Sequence, residues 1–257
     1  STEARISGLL ATAPGSMVEL RGGTLAVGGG AQVQGRLNVL SGTDSFIDGA
    51  VTLGPTGRLD VGASTLTLRG PVTFEPSTQP FQAGAQVHNA GEIHFLDRTV
   101  FIPGVLLTGN GAKYFHGSVV LDNPIATITD SNALALMPGS VLELALGAQS
   151  HGVRLFSQSW VSLAGGLKLR SSQGYGGQAG DQFAVIGAGA GLDGGFTAVD
   201  TSGFALAPGL RWDFSQLNTA GIVGIAAAVP EPHTWALMLA GLAAVGACAQ
   251  RRRTAPV

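Results

Sequence analysis

Residues that could carry out chemistry are few in this chain, and their spacing matches no familiar site. Its five histidines include no pair at the close spacing of metal ligands; they are His88, His94, His116, His151 and His233. Glu92 and His94 are two residues apart and would share one face of a strand, which is more typical of a solvated surface pair than of a site. We therefore expect no metal site.

A glycine-rich segment offers the one match to a nucleotide-binding pattern. Gly189, Gly191 and Gly194 fit G-x-G-x-x-G and follow the strand-like FAVI. A dinucleotide site needs a helix to begin there, because the helix N-terminus holds the pyrophosphate. The residues that follow, GFTAVDTSGF, favour strand and turn instead. The glycines are therefore interpreted as a turn, and no cofactor is expected.

Two further functions would depend on residues aligned along one sheet face. A glycan-cleaving enzyme would need clustered carboxylates, but these are spread without a readable pattern: Asp44, Asp48, Asp60, Glu75, Asp97, Asp122 and Asp130. An ice-binding face would need a ladder of Thr-x-Thr units, of which two occur, at residues 65–67 and 127–129. We predict no catalytic residues; a polysaccharide lyase or hydrolase is the main alternative and an ice-binding protein a minor one.

The composition is that of a repetitive extracellular β-protein. Charged residues make up 12% of the chain, and glycine accounts for 40 of 257 residues, with no collagen period. The net charge of −2 gives no electrostatic footprint for nucleic acid. The single cysteine, Cys248, excludes an internal disulfide framework. Stability must therefore come from packing and hydrogen bonds.

Residues 1–170 alternate apolar and polar side chains in short runs, which predicts strands separated by glycine-rich turns. A unit of Gly, any residue, aliphatic, any residue, apolar begins at Gly23, Gly35, Gly57 and Gly91. The starts of the unit lie 12, 22 and 34 residues apart, which is an irregular spacing. A length of ~20–25 residues nevertheless suits one rung of a parallel β-helix whose interior is filled by stacked aliphatics. A β-sandwich is the alternative. Roughly the first 150 residues loosely resemble the β-solenoid passengers of autotransporters and haemagglutinin-like adhesins.

The unit assigns an inside and an outside to the solenoid. Leu25, Leu37, Leu59 and Ile93 should stack in the interior, and Arg36, Asn38, Arg58 and Asp60 should face solvent. Residues 171–228 begin with a polar, glycine-rich break and continue as short strands. We expect them to form an antiparallel cap, since an open last rung would leave backbone groups unpaired.

Residues 229–257 differ from the rest of the chain. They begin with Pro230, Glu231 and Pro232, continue with an uncharged apolar run at 234–249, and end in Arg251, Arg252 and Arg253. As a helix, the run would span about 24 Å at ~1.5 Å per residue, which suits a transmembrane segment if its flanks snorkel. The arginines would mark the cytoplasmic side. The prolines would hold the preceding peptide extended, as a protease cleft requires.

The order of these three parts resembles the PEP-CTERM sorting domain. The resemblance implies that exosortase, a membrane-embedded enzyme, recognises Pro230, Glu231 and Pro232 and cuts near them. It implies an inner-membrane precursor in a Gram-negative bacterium, with the body outside the cytoplasm and the mature protein at the cell surface or in the matrix. It also implies a structural or adhesive role linked to exopolysaccharide or biofilm, with exosortase, the membrane and an exopolysaccharide as partners.

Overall fold

The computed structural model of the protein describes residues 3–41, 44–76, 84–150, 152–228 and 237–245. Short strands coil through successive rungs, three strands to a full rung. The first four rungs contain β1 (Glu3–Ile6), β2 (Leu10–Thr12), β3 (Met17–Arg21); β4 (Thr24–Val27), β5 (Ala31–Val33), β6 (Arg36–Ser41); β7 (Ser45–Ile47), β8 (Val51–Leu53), β9 (Arg58–Val61); and β10 (Thr65–Leu68), β11 (Val72–Phe74), β12 (Gln86–Asn89).

The later rungs repeat this pattern. Rungs five to seven contain β13 (Glu92–Phe95), β14 (Thr99–Phe101), β15 (Leu106–Thr108); β16 (Ala112–Phe115), β17 (Ser118–Leu121), β18 (Ile128–Asp130); and β19 (Leu134–Leu136), β20 (Val141–Leu146), β21 (Leu155–Ser157). The remaining elements are β22 (Trp160–Leu163), β23 (Gly166–Ser171), β24 (Gln182–Ala184), β25 (Ile186–Ala188), β26 (Gly191–Gly194), β27 (Ala198–Gly203), β28 (Leu210–Asp213), α1 (Leu217–Ala220) and β29 (Ile222–Ala227). A further helix, α2, covers residues 237–245.

Three parallel sheets form the walls of the coil. Sheet A runs β1-β4-β7-β10-β13-β16-β19-β22-β26, sheet B runs β2-β5-β8-β11-β14-β17-β20-β23-β27, and sheet C runs from β3 to β25 through β6, β9, β12, β15, β18 and β21. Each strand pairs with the strand one rung earlier and one rung later. The predicted parallel β-helix is confirmed.

Aliphatic columns fill the interior because each strand buries every second side chain. Leu37 pairs in register with Leu59, Leu59 with Val87, and Val87 with Leu107, and all four are buried. Leu25 and Ile93, predicted as interior residues, are buried as well. Phenylalanines thicken the middle rungs, where the stacked rings of Phe95 and Phe115 have centroids 4.6 Å apart.

The glycine that opens the repeated unit has a steric origin. A Cβ on Gly57 would overlap the carbonyl oxygen of Val33 in the preceding rung, and one on Gly91 would overlap that of Ser64. The chain therefore turns into the next strand against the backbone below it. Gly35 and Gly57 open β6 and β9 of sheet C, one rung apart, whereas Gly23 and Gly91 open strands of sheet A. This placement on two sheets explains the irregular spacing of the unit.

One outward position departs from the expectation. Asn38 alternates with the interior residues Leu37 and Val39, yet it is only 6% exposed. Its Nδ2 donates to Glu19 Oε2 at 3.3 Å, from the rung below. Asn38 was expected to face solvent and is instead covered, because neighbouring rungs lie only about 4.8 Å apart and longer side chains close over a short one.

A three-stranded antiparallel sheet, in the order β24-β29-β28, forms the end of the body. Phe183, Val223 and Ile225 are buried within it. The Trp212 ring meets Phe204 edge-on, with centroids 4.9 Å apart. The parallel sheets themselves continue past residue 170, since β25 completes the eighth rung and β26 and β27 begin a partial ninth.

Only part of the C-terminal segment lies within the described residues. Helix α2 (237–245) falls inside the predicted run of 234–249, and its large apolar side chains are exposed. Across the described residues, no helix is both long and apolar enough to cross a membrane. The predicted transmembrane helix is therefore not confirmed. Pro230, Glu231, Pro232, Arg251, Arg252 and Arg253 lie outside the described residues, as does Cys248.

Candidate functional site

Sheet A presents a column of outward side chains that includes aromatic rings. Adjacent rungs align Phe46 with Thr67, Thr67 with His94, and His94 with Tyr114. The column continues through Ala135 and Ser162. The stacked rings of His94 and Tyr114 have centroids 4.7 Å apart, which is the spacing between rungs. We call this set, from Phe46 to Ser162, the aromatic column.

A shallow hollow of about 180 Å³ lies beside the aromatic column, between Tyr114 and Trp160. Its floor consists of small side chains, contributed by Ala112, Ala133 and Ala135. Trp160 is 52% exposed, and its ring lies over Gly191, where a Cβ would come within 2.8 Å of Cζ3. The result is a flat apolar platform with a large indole at one end and a phenol at the other. We call it the alanine hollow.

Two histidines meet at the edge of the aromatic column. His94 Nδ1 lies 3.1 Å from His116 Nε2, and His94 Nε2 lies 3.5 Å from Glu92 Oε2. Burial, with a smaller contribution from His94, lowers the pKa of His116 below its usual range. No group of three or more potential metal ligands occurs among the described residues. The sequence paired Glu92 with His94 but missed His116, which follows β16 one rung later.

A larger cleft, of about 560 Å³, runs along the corner where the chain passes from sheet B to sheet C. It crosses the first four rungs. In each of them the first residue of the sheet C strand, which follows the turn, lines the cleft. Its lining residues are Gly15, Ser16, Met17, Gly35, Arg36, Pro55, Thr56, Arg58, Gly84 and Gln86. We call it the corner cleft.

The charges in the corner cleft are unevenly paired. Arg36 Nε lies 3.3 Å from Asp60 Oδ2, so its charge is partly balanced. Arg58 aligns directly with Arg36 on the next rung and is exposed. Within the part of the chain that the structure describes, no carboxylate forms an ion pair with Arg58. On β3, two residues beyond Met17, a hydrogen bond from Arg21 lowers the pKa of Glu19 and favours its ionised form.

The scattered carboxylates do not converge. Asp48 pairs with Arg69 at 2.9 Å, and Asp122 pairs with Arg170 at 2.8 Å. Glu75 accepts a hydrogen bond of 3.0 Å from Gln34. The partners of these three acidic groups lie on different sheets and rungs, so the three groups are engaged separately. Arg170 also lies 2.6 Å from Glu143 Oε1 and therefore joins Glu143 to Asp122. In the same way, the two Thr-x-Thr units fall on different sheets, β10 of sheet A and β18 of sheet C.

The remaining candidates from the sequence have structural places. Gly191 to Gly194 form strand β26, so a strand and not a helix follows Gly189. His88 lies on the outer face of sheet C, with its Nδ1 3.1 Å from Thr108 Oγ1. His151 and His233 lie outside the described residues.

A fully buried ion pair, which the sequence analysis missed, crosses the interior. Lys113 Nζ lies 2.7 Å from Asp130 Oδ1, and both side chains are 0% exposed. Burial raises the pKa of Asp130, and the lysine opposes that rise. The signal was available in β16, where Lys113 and Phe115 occupy the inward positions of AKYF.

A buried arginine, also missed, holds the corner between rungs six and seven. Arg154 is 1% exposed, and burial lowers its pKa to about 10. Its guanidinium donates to backbone carbonyls and one hydroxyl, namely those of Asn123, Pro124, Ala126, Ala145 and Ser150. Backbone carbonyl oxygens thus accept the hydrogen bonds that a carboxylate accepts from a buried arginine in an ion pair.

Comparison with known protein families identifies the tail. Residues 228–253 match the PEP-CTERM protein-sorting motif. This PEP-CTERM motif indicates an exported protein that is sorted to the cell surface by exosortase. No curated protein and no solved structure matched the chain. The predicted resemblance of the tail is therefore confirmed, whereas the role of the β-helical body has to be argued from its surface.

Proposed function

We propose that this protein is a surface or matrix component that binds exopolysaccharide without chemical turnover. Its precursor is held in the inner membrane by the C-terminal segment, with the body outside the cytoplasm. Exosortase then cuts near Pro230, Glu231 and Pro232, and the mature β-helix reaches the cell surface or the biofilm matrix of a Gram-negative bacterium. The PEP-CTERM match supports sorting; the surface of the body supports binding.

The observation that carries the binding proposal is the alanine hollow beside the aromatic column. Sugar rings offer flat apolar faces with hydroxyls at their edges, and aromatic side chains combine an apolar face with a polar tip. Tyr114 and Trp160 flank a floor of alanines on which a ring can lie flat. Ser162, hydrogen bonded to Asp193 at 3.2 Å, supplies a polar edge.

The solenoid supports this proposal through repetition. Equivalent outward positions recur about every 4.8 Å along sheet A. A polymer lying along the solenoid axis can therefore make several weak contacts at once, and linked weak contacts gain affinity through effective concentration. A polysaccharide is a polymer of this kind.

Retention of the purified protein on immobilised exopolysaccharide from its own host tests the binding proposal. We expect wild type to be retained, and Trp160→Ala and Tyr114→Ala each to reduce retention, because each removes one wall of the hollow. Leu106→Ala is the matched control, since Leu106 is an exposed apolar residue of sheet C outside the hollow. Equal retention of all four proteins would refute the proposed site. Release of reducing ends or unsaturated sugars during incubation would favour the lyase or hydrolase alternative.

Mass spectrometry of the protein from the host surface tests the processing step. We expect no peptide containing Arg251 in the mature protein. Replacing both Pro230 and Pro232 by alanine should make the uncut precursor accumulate, because the peptide is then no longer held extended. Pro208→Ala, in a turn of the cap, is the control and should leave processing unchanged. Abundant surface protein that retains the arginines would contradict processing at this site.

A further inference from the structure

The corner cleft stacks two like charges. The outward column at its centre aligns Met17 with Arg36, Arg36 with Arg58, and Arg58 with Gln86. Like charges directly opposite each other on neighbouring strands are destabilising. Asp60 offsets Arg36, but among the described residues no carboxylate offsets Arg58. The cleft therefore carries a local positive charge on a chain whose net charge is −2.

Hydroxyl groups line the same cleft as acceptors. Ser16 Oγ donates its proton to Ala13 O at 2.7 Å, and Thr56 Oγ1 donates to Gln34 O at 2.7 Å. Because each hydroxyl has one proton, both oxygens keep lone pairs for an incoming donor. Gln86 adds an amide that can both donate and accept. The cleft thus offers cationic donors beside neutral acceptors.

The dimensions suit an extended ligand. A volume of about 560 Å³ lies within the range of small-molecule sites. Crossing four rungs gives a length of about 14 Å at ~4.8 Å per rung. Among the described residues, no aromatic ring lines the cleft, and these residues therefore offer no surface for stacking a nucleotide base. A ligand that matches it carries an anionic group together with several hydroxyl donors.

We propose that the corner cleft binds a carboxylate-bearing sugar unit of an acidic polysaccharide. The guanidinium groups of Arg58 and Arg36 bind the carboxylate, since the planar guanidinium fork matches a carboxylate better than any other cation does. The hydroxyls of the sugar donate to Ser16 and Thr56. This inference rests on the proposed exopolysaccharide binding and assigns the polymer to the uronic-acid class.

Binding of full-length protein to soluble polygalacturonate and alginate tests the inference. We expect wild type to bind both, more weakly as salt rises, because the contacts of an exposed cleft are screened. Fully methyl-esterified polygalacturonate has the same backbone without the charge and should not bind measurably. Arg58→Gln should weaken binding about tenfold or more, equivalent to about 1.4 kcal/mol. Arg98→Gln, at an exposed arginine outside the cleft, should leave binding unchanged.

Several outcomes would overturn the inference. These are absence of polyuronate binding at low salt, equal binding of the esterified polymer, or wild-type affinity in Arg58→Gln. Binding of dextran sulfate without polyuronates would assign the cleft to sulfate esters instead. If retention on host exopolysaccharide depends on Trp160 but not on Arg58, this inference fails while the proposed function stands. Loss of both dependences would remove the two together.

Discussion

The buried pair of Lys113 and Asp130 gives the sharpest test of the energetics of this core. Both side chains are fully buried at a separation of 2.7 Å, and Lys113 Nζ also donates to Gly111 O at 3.0 Å. Removing one partner leaves the other unpaired in an apolar interior. Lys113→Met or Asp130→Leu alone should therefore lower the free energy of unfolding by about 3–5 kcal/mol.

The double substitution should behave differently. With both charges gone, neither desolvation penalty remains. The methionine lies between Ile93 and Leu134, the rung neighbours of position 113, and the leucine lies between Leu107 and Ser157, those of position 130. We expect the double variant to match wild type or exceed it by about 1–4 kcal/mol. Urea unfolding followed by far-UV circular dichroism would measure all four proteins. A double variant as unstable as the worse single variant would refute the reasoning and show that the pair is net stabilising.

The single lysine variant should also depend on pH. Loss of Lys113 removes the interaction that opposes the raised pKa of Asp130, so this pKa rises further in the folded state. A carboxyl group whose pKa is higher in the folded than in the unfolded state stabilises the fold at low pH. That stabilisation is lost as the pH rises from the unfolded-state pKa through the folded-state pKa. Lys113→Met should therefore be less stable at alkaline than at mildly acidic pH, relative to wild type. Parallel pH profiles would contradict this origin of the destabilisation.

Three further predictions test other parts of the structure. Arg154→Met should lower the free energy of unfolding by at least about 3 kcal/mol in urea titrations, because two buried and two part-buried carbonyls lose their donor; an unchanged midpoint would contradict this. Leu59→Asp should unfold the body, since it buries an unpaired charge, whereas Asp60→Ser should change the circular dichroism little. If the two variants gave similar spectra, the assignment of Leu59 to the interior and Asp60 to the exterior would be wrong. In NMR titrations His116 should titrate below the usual histidine range, with a partial return in His94→Gln, because burial is the larger cause and His94 the smaller. Because the pKa of His116 is lower in the folded than in the unfolded state, its contribution to the free energy of unfolding falls as the pH decreases from the unfolded-state pKa through the folded-state pKa.

The fold could be predicted from the sequence because its determinants are local. Alternation in segments such as RLNV and RLDV identifies Leu37 and Leu59 as interior residues, and stacking identical strands is the simplest way to bury them. The division into three sheets was not visible, because strands of sheets A and C share the same glycine-led unit. Rung length also varies, as between β11 and β12, so no constant period marks the turns.

The candidate sites depend on register between rungs, which the sequence does not show directly. Arg36 and Arg58 are adjacent because sheet C pairs them, although 21 residues separate them in the chain. The contact of His94 with His116 arises in the same way across sheet A. Alternation alone would have placed Lys113 inside, but its contact with Asp130 depends on how β16 of sheet A and β18 of sheet C face each other across the interior of one rung.

The residues that form the sheets of the body and the residues that match the sorting motif occupy adjacent parts of the chain. The last cap strand, β29, ends at Ala227, and the match to the sorting motif begins at residue 228. Within the described residues, the matched segment adds no strand to any sheet of the body. Among its described residues, Ala228 N donates a hydrogen bond of 2.7 Å to Gly209 O of the cap. Cleavage near Pro230, Glu231 and Pro232 would thus leave every interior column and the whole cap in place. The alanine hollow and the corner cleft both consist of residues that precede the matched segment, so both would remain in the body after cleavage.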